Sequence, residues 1–98
     1  MRAITLRVLT QEGVVIEDEA VSIVAPGEQG YLGMLRNHAP LVTTLQPGLL
    51  TWRRPSGETQ RRAIGDGLLE IVKNRCTLLI TTIISNEPED SATKGPTL

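Results

Sequence analysis

Phenylalanine is absent from this chain, and Trp52 and Tyr31 are its only aromatic residues. Stacking on bases or sugar rings therefore has almost nothing to work with, and the core must be packed with Leu, Ile and Val. Cysteine and histidine occur once each, as Cys76 and His38. A lone cysteine forms no internal disulfide, and one Cys with one His builds none of the usual zinc sites. A reducing compartment is the expectation. Charge of one sign is also lacking: 10 basic against 11 acidic residues leave a net charge of −1. That speaks against nucleic acid as the main partner, because no positive field is there to neutralise phosphates. Long apolar runs are missing too. The longest, Cys76 to Ile84, is broken by threonines and far short of a membrane span. The opening residues, MRAITLRVLTQEG, alternate polar and apolar and lack the apolar stretch of a signal peptide. No window carries the apolar stripe of an amphipathic helix with a cap before it.

What is present is a period close to two. Ile4, Leu6 and Val8 share one face, Val14 and Ile16 repeat the pattern, and Val21, Ile23 and Ala25 repeat it again. Leu41 to Gln46 alternates with both faces half polar, while Leu49 to Arg53 and Leu68 to Val72 read as short strands. Arg75 to Ile84, rich in Thr, Ile and Leu, reads as a strand buried on both faces. Turn signals separate these runs: Gln11-Glu12-Gly13, Glu17-Asp18-Glu19, Pro26-Gly27, Pro47-Gly48, Pro55-Ser56-Gly57, Gly65-Asp66-Gly67 and Lys73-Asn74. Short strands and turns at regular spacing predict an all-β domain, an antiparallel sandwich or barrel. With 98 residues the chain is expected to hold one such domain over residues 1–84. Residues 85–98, SNEPEDSATKGPTL, are too polar to repay their ordering entropy and read as a flexible acidic tail.

One stretch departs from the pattern. Residues 25–40, APGEQGYLGMLRNHAP, gather three glycines, two prolines and the histidine between two predicted strands. The stretch is too long for a turn and too apolar, with Tyr31, Leu32, Met34 and Leu35, for a solvated linker. It reads as a loop that presents a shaped surface to another protein. Other chemistry fits it poorly. A phosphate-binding loop needs a helix straight after its glycines, and the P-loop also a Lys-Ser/Thr pair; Gly33 leads instead into Met-Leu-Arg-Asn-His. His38 has no neighbouring nucleophile and orienting carboxylate of the kind covalent catalysis requires, so its ring nitrogens are expected to be satisfied by the loop backbone or by an interface. Arg53, Arg54, Arg61 and Arg62 flank the Pro55-Ser56-Gly57 turn and, in a hairpin, would form a small basic patch: a solvated face that discourages aggregation or a dock for an acidic partner.

Taken in order, the motifs resemble a known family. Val24 to Leu35 followed by His38-Ala39-Pro40-Leu41 resembles the apolar-P-G-E-x-G-x-L-G-(I/M)-L … G-H-A-P-L core of the epsilon subunit of F-type ATP synthases. Leu45-Gln46-Pro47-Gly48-Leu49-Leu50 is similar to that family's L-K-P-G-x-L, Ile64 to Ile71 to its x-S-G-G-x-L-E-V, and Thr77 to Ile80 to its V-T-V-L strand. The set covers about residues 3–83. The resemblance implies a flattened β-sandwich in the central stalk, without catalytic residues, cofactor or metal. It further implies binding to the gamma subunit and the c-ring, so that ion flow is coupled to ATP synthesis or hydrolysis, at the cytoplasmic face of a bacterial inner membrane or, as the alternative, a chloroplast thylakoid. Carried over by position, the ring-facing contact falls on Glu28, Gly30, Tyr31, Leu32 and Gly33, with His38 and Leu41 in the adjoining contact. Tyr31 stands where many members carry an acidic residue, Arg36-Asn37 where they carry Pro-Gly, and Asp66 in the Ser-Gly-Gly turn. The family's C-terminal pair of helices has no counterpart, so a helical brake is expected to be absent from this polypeptide. Two readings of other classes compete: a stand-alone β-sandwich adaptor for a peptide or sugar, and a small hydrolase using His38.

Overall fold

The computed structural model describes residues 3–84, and all of the regular structure there is β. Nine strands follow one another: β1 (Ile4–Thr10), β2 (Gly13–Ala20), β3 (Ser22–Gly27), β4 (Gly30–Leu35), β5 (Leu41–Leu45), β6 (Gly48–Arg53), β7 (Thr59–Ile64), β8 (Gly67–Val72) and β9 (Arg75–Ile80). They form one curled sheet in the order β2-β1-β9-β8-β5-β3-β6-β7, with β4 attached to β3. Every ladder is antiparallel except β1 with β9, which run parallel. The curl folds β2, β1, β9, β8 and β5 over β4, β3, β6 and β7, and the alternate residues of both layers meet in one core. That core is aliphatic, as the lack of phenylalanine requires: Ile4, Leu6, Ile23, Leu50, Ile71 and Leu78 pack around Trp52, all essentially without solvent exposure. Among the described residues no polar or charged residue is buried. The acidic tail expected from Ser85 onward lies outside the described residues.

Several local expectations are corrected. Residues 25–40 are not one long loop. They hold a tight β3–β4 hairpin, with Gly27 paired to Gly30 across the two-residue turn Glu28-Gln29, and only 36–40 remain irregular. The glycine spacing serves this turn: Gly30 sits at φ +124°, a conformation a side chain resists. Glu17-Asp18-Glu19 is strand, not turn, within β2. Strand alternation turns Glu17 out towards Arg7, at 3.6 Å, and Asp18 in towards Trp52 and Arg54. Val14 and Ile16 do not share a face. A bulge opposite Val8/Leu9 leaves Val15 unpaired, so Ile16 pairs with Val8 and turns in while Val14 pairs with Leu9 and is exposed. The last strand stops at Ile80 and is buried on one face only, with Leu79 53% exposed. The four arginines do not pool, because strand alternation sends Arg53 and Arg61 one way while Arg54 binds Asp18 and Arg62 lies 5.4 Å from the Trp52 ring centroid.

Candidate functional site

The β3–β4 hairpin is fastened to its neighbours at three points. At its tip the Glu28 N–H donates to the Thr44 carbonyl at 3.1 Å, and the Thr44 hydroxyl donates to the Glu28 carboxylate. Along β3 the Gln46 N–H donates to the Pro26 carbonyl at 2.9 Å, and the Gln46 side-chain amide donates to the Gly27 carbonyl at 3.0 Å. On the outer face Tyr31 lies opposite Pro26, and its Oη accepts a 3.0 Å hydrogen bond from the Leu49 N–H. Gly48 makes that placement possible, since a Cβ there would stand 2.7 Å from the Pro26 Cβ and 2.8 Å from the Tyr31 Oη. Tyr31 is thus 60% exposed yet held in one pose. Its oxygen is used as an acceptor, which leaves the hydroxyl hydrogen to donate outward.

Five of the seven expected contact residues come together here. Glu28, Gly30, Tyr31, Leu32 and Leu41 line one shallow groove of about 320 Å³ between the hairpin and β5. Leu32 and Leu41 are half-buried and pack on the core, so they form its floor more than its rim. Gly33 sits outside the groove, exposed on β4, where an added Cβ would meet nothing within 4 Å. His38 lies beyond the far end of β4. Its N–H donates to the Leu35 carbonyl at 3.2 Å, and its Nδ1 is 2.6 Å from the Ala39 carbonyl. A carbonyl only accepts, so Nδ1 is the donor of this bond. Nothing in this arrangement activates a nucleophile.

Two arrangements escaped the sequence. Asn37, at φ +66°, receives support from 37 residues away: its N–H donates to Asn74 Oδ1 at 2.7 Å, and Asn74 Nδ2 donates to Asn37 Oδ1 at 3.2 Å. Both asparagines occupy left-handed positions; the sequence marked Asn74 as a turn residue with Lys73 but gave no sign of its partner. Far from the hairpin, Asp18 accepts from Trp52 Nε1 at 2.8 Å and Arg54 Nε at 2.7 Å, and Arg54 also meets Glu58 at 2.8 Å. Partial burial of Asp18 opposes its charge. The Trp52 and Arg54 hydrogen bonds outweigh that and hold its carboxyl below the ordinary value of 3.8. Cys76 is enclosed in the core, and burial pushes its thiol up to about 12.

Residues 3–86 match the family model of the ATP synthase delta/epsilon chain β-sandwich domain. The chain belongs to this family. It is 42% identical over 90 residues to the ATP synthase epsilon chain of Moorella thermoacetica, covering 92% of this chain and 67% of the relative. To that of Syntrophomonas wolfei it is 40% identical over 77 residues, covering 79% of this chain and 56% of the relative. The chain thus spans between 56% and 67% of the length of these relatives. Its fold matches a chain of the Euglena gracilis mitochondrial ATP synthase in its OSCP/F1/c-ring assembly, with a TM-score of 0.81 at 17% identity, over 97% of this chain and 62% of the other. Within this family fold, apolar side chains remain uncovered on both outer faces. Val24, Tyr31, Leu35 and Leu49 are exposed on and beside the hairpin. On the other layer Val14, Leu9, Leu79 and Leu68 run as one row across four paired strands.

Proposed function

We propose that this domain is a non-catalytic central-stalk subunit of an F-type ATP synthase, peripheral to the cytoplasmic face of the membrane. In this reading it binds the gamma subunit and the c-ring and turns with them, coupling ion translocation to ATP synthesis or hydrolysis. The observation that carries the reading is the hairpin itself: a surface that exposes Tyr31 and Leu35, with Glu28 at its tip, held in place by the Glu28–Thr44, Gln46–Gly27 and Tyr31–Leu49 hydrogen bonds. A surface fixed in advance loses little conformational entropy on docking, and a stable contact needs about 800 Å² from each partner. The contact is assigned to Glu28, Gly30, Tyr31, Leu32 and Gly33, with His38 and Leu41 beside it. Tyr31 takes the part of the anchor, through ring packing and its outward hydroxyl hydrogen.

Co-expression with gamma and the c-ring tests this. Tyr31→Asp places a charge on the rim and removes the aromatic anchor, a loss of about 2 kcal/mol or more in binding, so recovery of the subunit with gamma and ring should fall by more than tenfold. The isolated variant should keep a wild-type circular dichroism spectrum, because Tyr31 is outside the core. Wild-type recovery of Tyr31→Asp with both partners would remove the hairpin as the contact.

A further inference from the structure

Among the described residues three strands, β2, β7 and β4, each form a ladder with one other strand only, and they are not alike. β2 presents Glu17, Asp18 and Glu19 and carries the bulge opposite Val8/Leu9; β7 presents Gln60, Arg61 and Arg62. Charges and bulges of this kind are how proteins keep a strand edge from pairing with another chain. The third edge, β4, reads GYLGML: no charge, no proline and a register without a shift. Among the described residues it pairs with β3 alone. In a two-residue hairpin closed by Gly27 and Gly30, hydrogen-bonded pairs alternate with non-bonded ones. Leu32 and Met34 therefore bond to β3, whereas Tyr31, Gly33 and Leu35 turn their backbone groups away from it. Two observations agree: Pro26, opposite Tyr31, has no N–H to offer, and the Leu35 carbonyl is taken from outside by the His38 N–H at 3.2 Å. That leaves the N–H groups of residues 31, 33 and 35 and the carbonyls of 31 and 33 along an edge that is open among the described residues.

We propose that β4 is a strand-addition site, and that a partner subunit of the stalk engages the hairpin by laying an extended, uncharged segment against this edge. Backbone hydrogen bonds at Tyr31 and Gly33 fix the register of the added strand, as in other cases of β-augmentation. The exposed side chains of Tyr31 and Leu35 and the groove in front of Leu41 take its side chains. The proposal rests on the stalk reading and goes beyond it, from a contact surface to a mode of binding.

Hydrogen exchange on the assembled complex, read amide by amide after dissociation, is the test. On assembly the Tyr31 and Gly33 amides should slow by at least about tenfold, the worth of one ladder hydrogen bond, while Leu32 and Met34 should change little because β3 already holds them. Gly33→Pro, which removes an outward N–H without touching the β3 ladder, should lower recovery with the partners at least tenfold more than Gly33→Ala, which keeps the N–H. Equal effects of proline and alanine, or no alternation in the protection, would overturn strand addition while leaving the stalk reading intact. Failure of the wild-type chain to assemble with gamma and ring would overturn the reading itself. Protection that grows with concentration in the isolated chain would name a second copy as the occupant and overturn a partner subunit in that place.

Discussion

At the scale of single residues, chemistry is settled by surroundings that the chain brings in from afar. Cys76 could be read as a reactive thiol or as a core residue. Its burial beside Leu6 and Ile71 makes it the second, with a thiol pushed from 9.0 up to about 12. The folded state thus holds the neutral thiol while the unfolded chain ionises near 9, so stability is full below pH 9 and declines as the pH rises towards 12. A thiol reagent at pH 7.5 should accordingly label Cys76 only as fast as the domain opens, and rapid labelling of the native protein would contradict this placement. The sequence singled out Tyr31, but not its pose. The Leu49 N–H that holds it is 18 residues away, and nothing local signals the pairing.

At the scale of elements, alternation was the most readable property and its interruptions the least. Ile4, Leu6 and Val8 point inward as their spacing requires. The same rule failed for Val14 and Ile16, because one bulged residue reverses every side chain beyond it. It also hid Asp18, whose three-acid neighbourhood looks like a turn until β2 is paired with β1. Asp18 then becomes a latch between the edge strand β2 and the β6–β7 hairpin, through Trp52 and Arg54. The lowered carboxyl pKa makes that latch pH-dependent. Its contribution is present above the ordinary value of 3.8 and is lost as the pH falls through and below it, where the folded carboxylate is at last protonated. Asp18→Ala leaves the indole N–H without its acceptor, which costs about 1–3 kcal/mol at neutral pH. Urea unfolding at pH 7 and at pH 3 should show a smaller gap between variant and wild type at the lower value; a constant gap would rule the latch out.

At the scale of the molecule, half of the strand ladders among the described residues join strands that do not follow one another in the chain. β9 lies between β1 and β8, and its parallel ladder to β1 ties Thr5 to Arg75. A topology of this kind folds in milliseconds to seconds because its loops must close before the contacts form. With one core and the only tryptophan at its centre, 1% exposed, the domain should unfold as a unit. Trp52 fluorescence and far-ultraviolet dichroism should give coincident denaturation curves, and separated midpoints would show that the two layers open independently. Trp52→Ala should cost about 3–5 kcal/mol by emptying the centre of that core.

The Ala25–Pro40 stretch marks where reading the chain alone stops. Composition and periodicity determined an all-β domain with an aliphatic core, and the ordered Pro-Gly and Gly-Asp-Gly motifs determined its family, because both are properties of neighbours along the chain. Only the tertiary structure decided that the stretch is a hairpin and not a loop, and that Glu28, Tyr31 and Leu32 share a groove with Leu41. It alone decided that β4, among the described residues, pairs with β3 only. The physical reason is common to all three: each depends on which strand lies beside β3 and β4, and those neighbours, β5 and β6, are fixed by hydrogen bonds and packing between residues far apart in sequence.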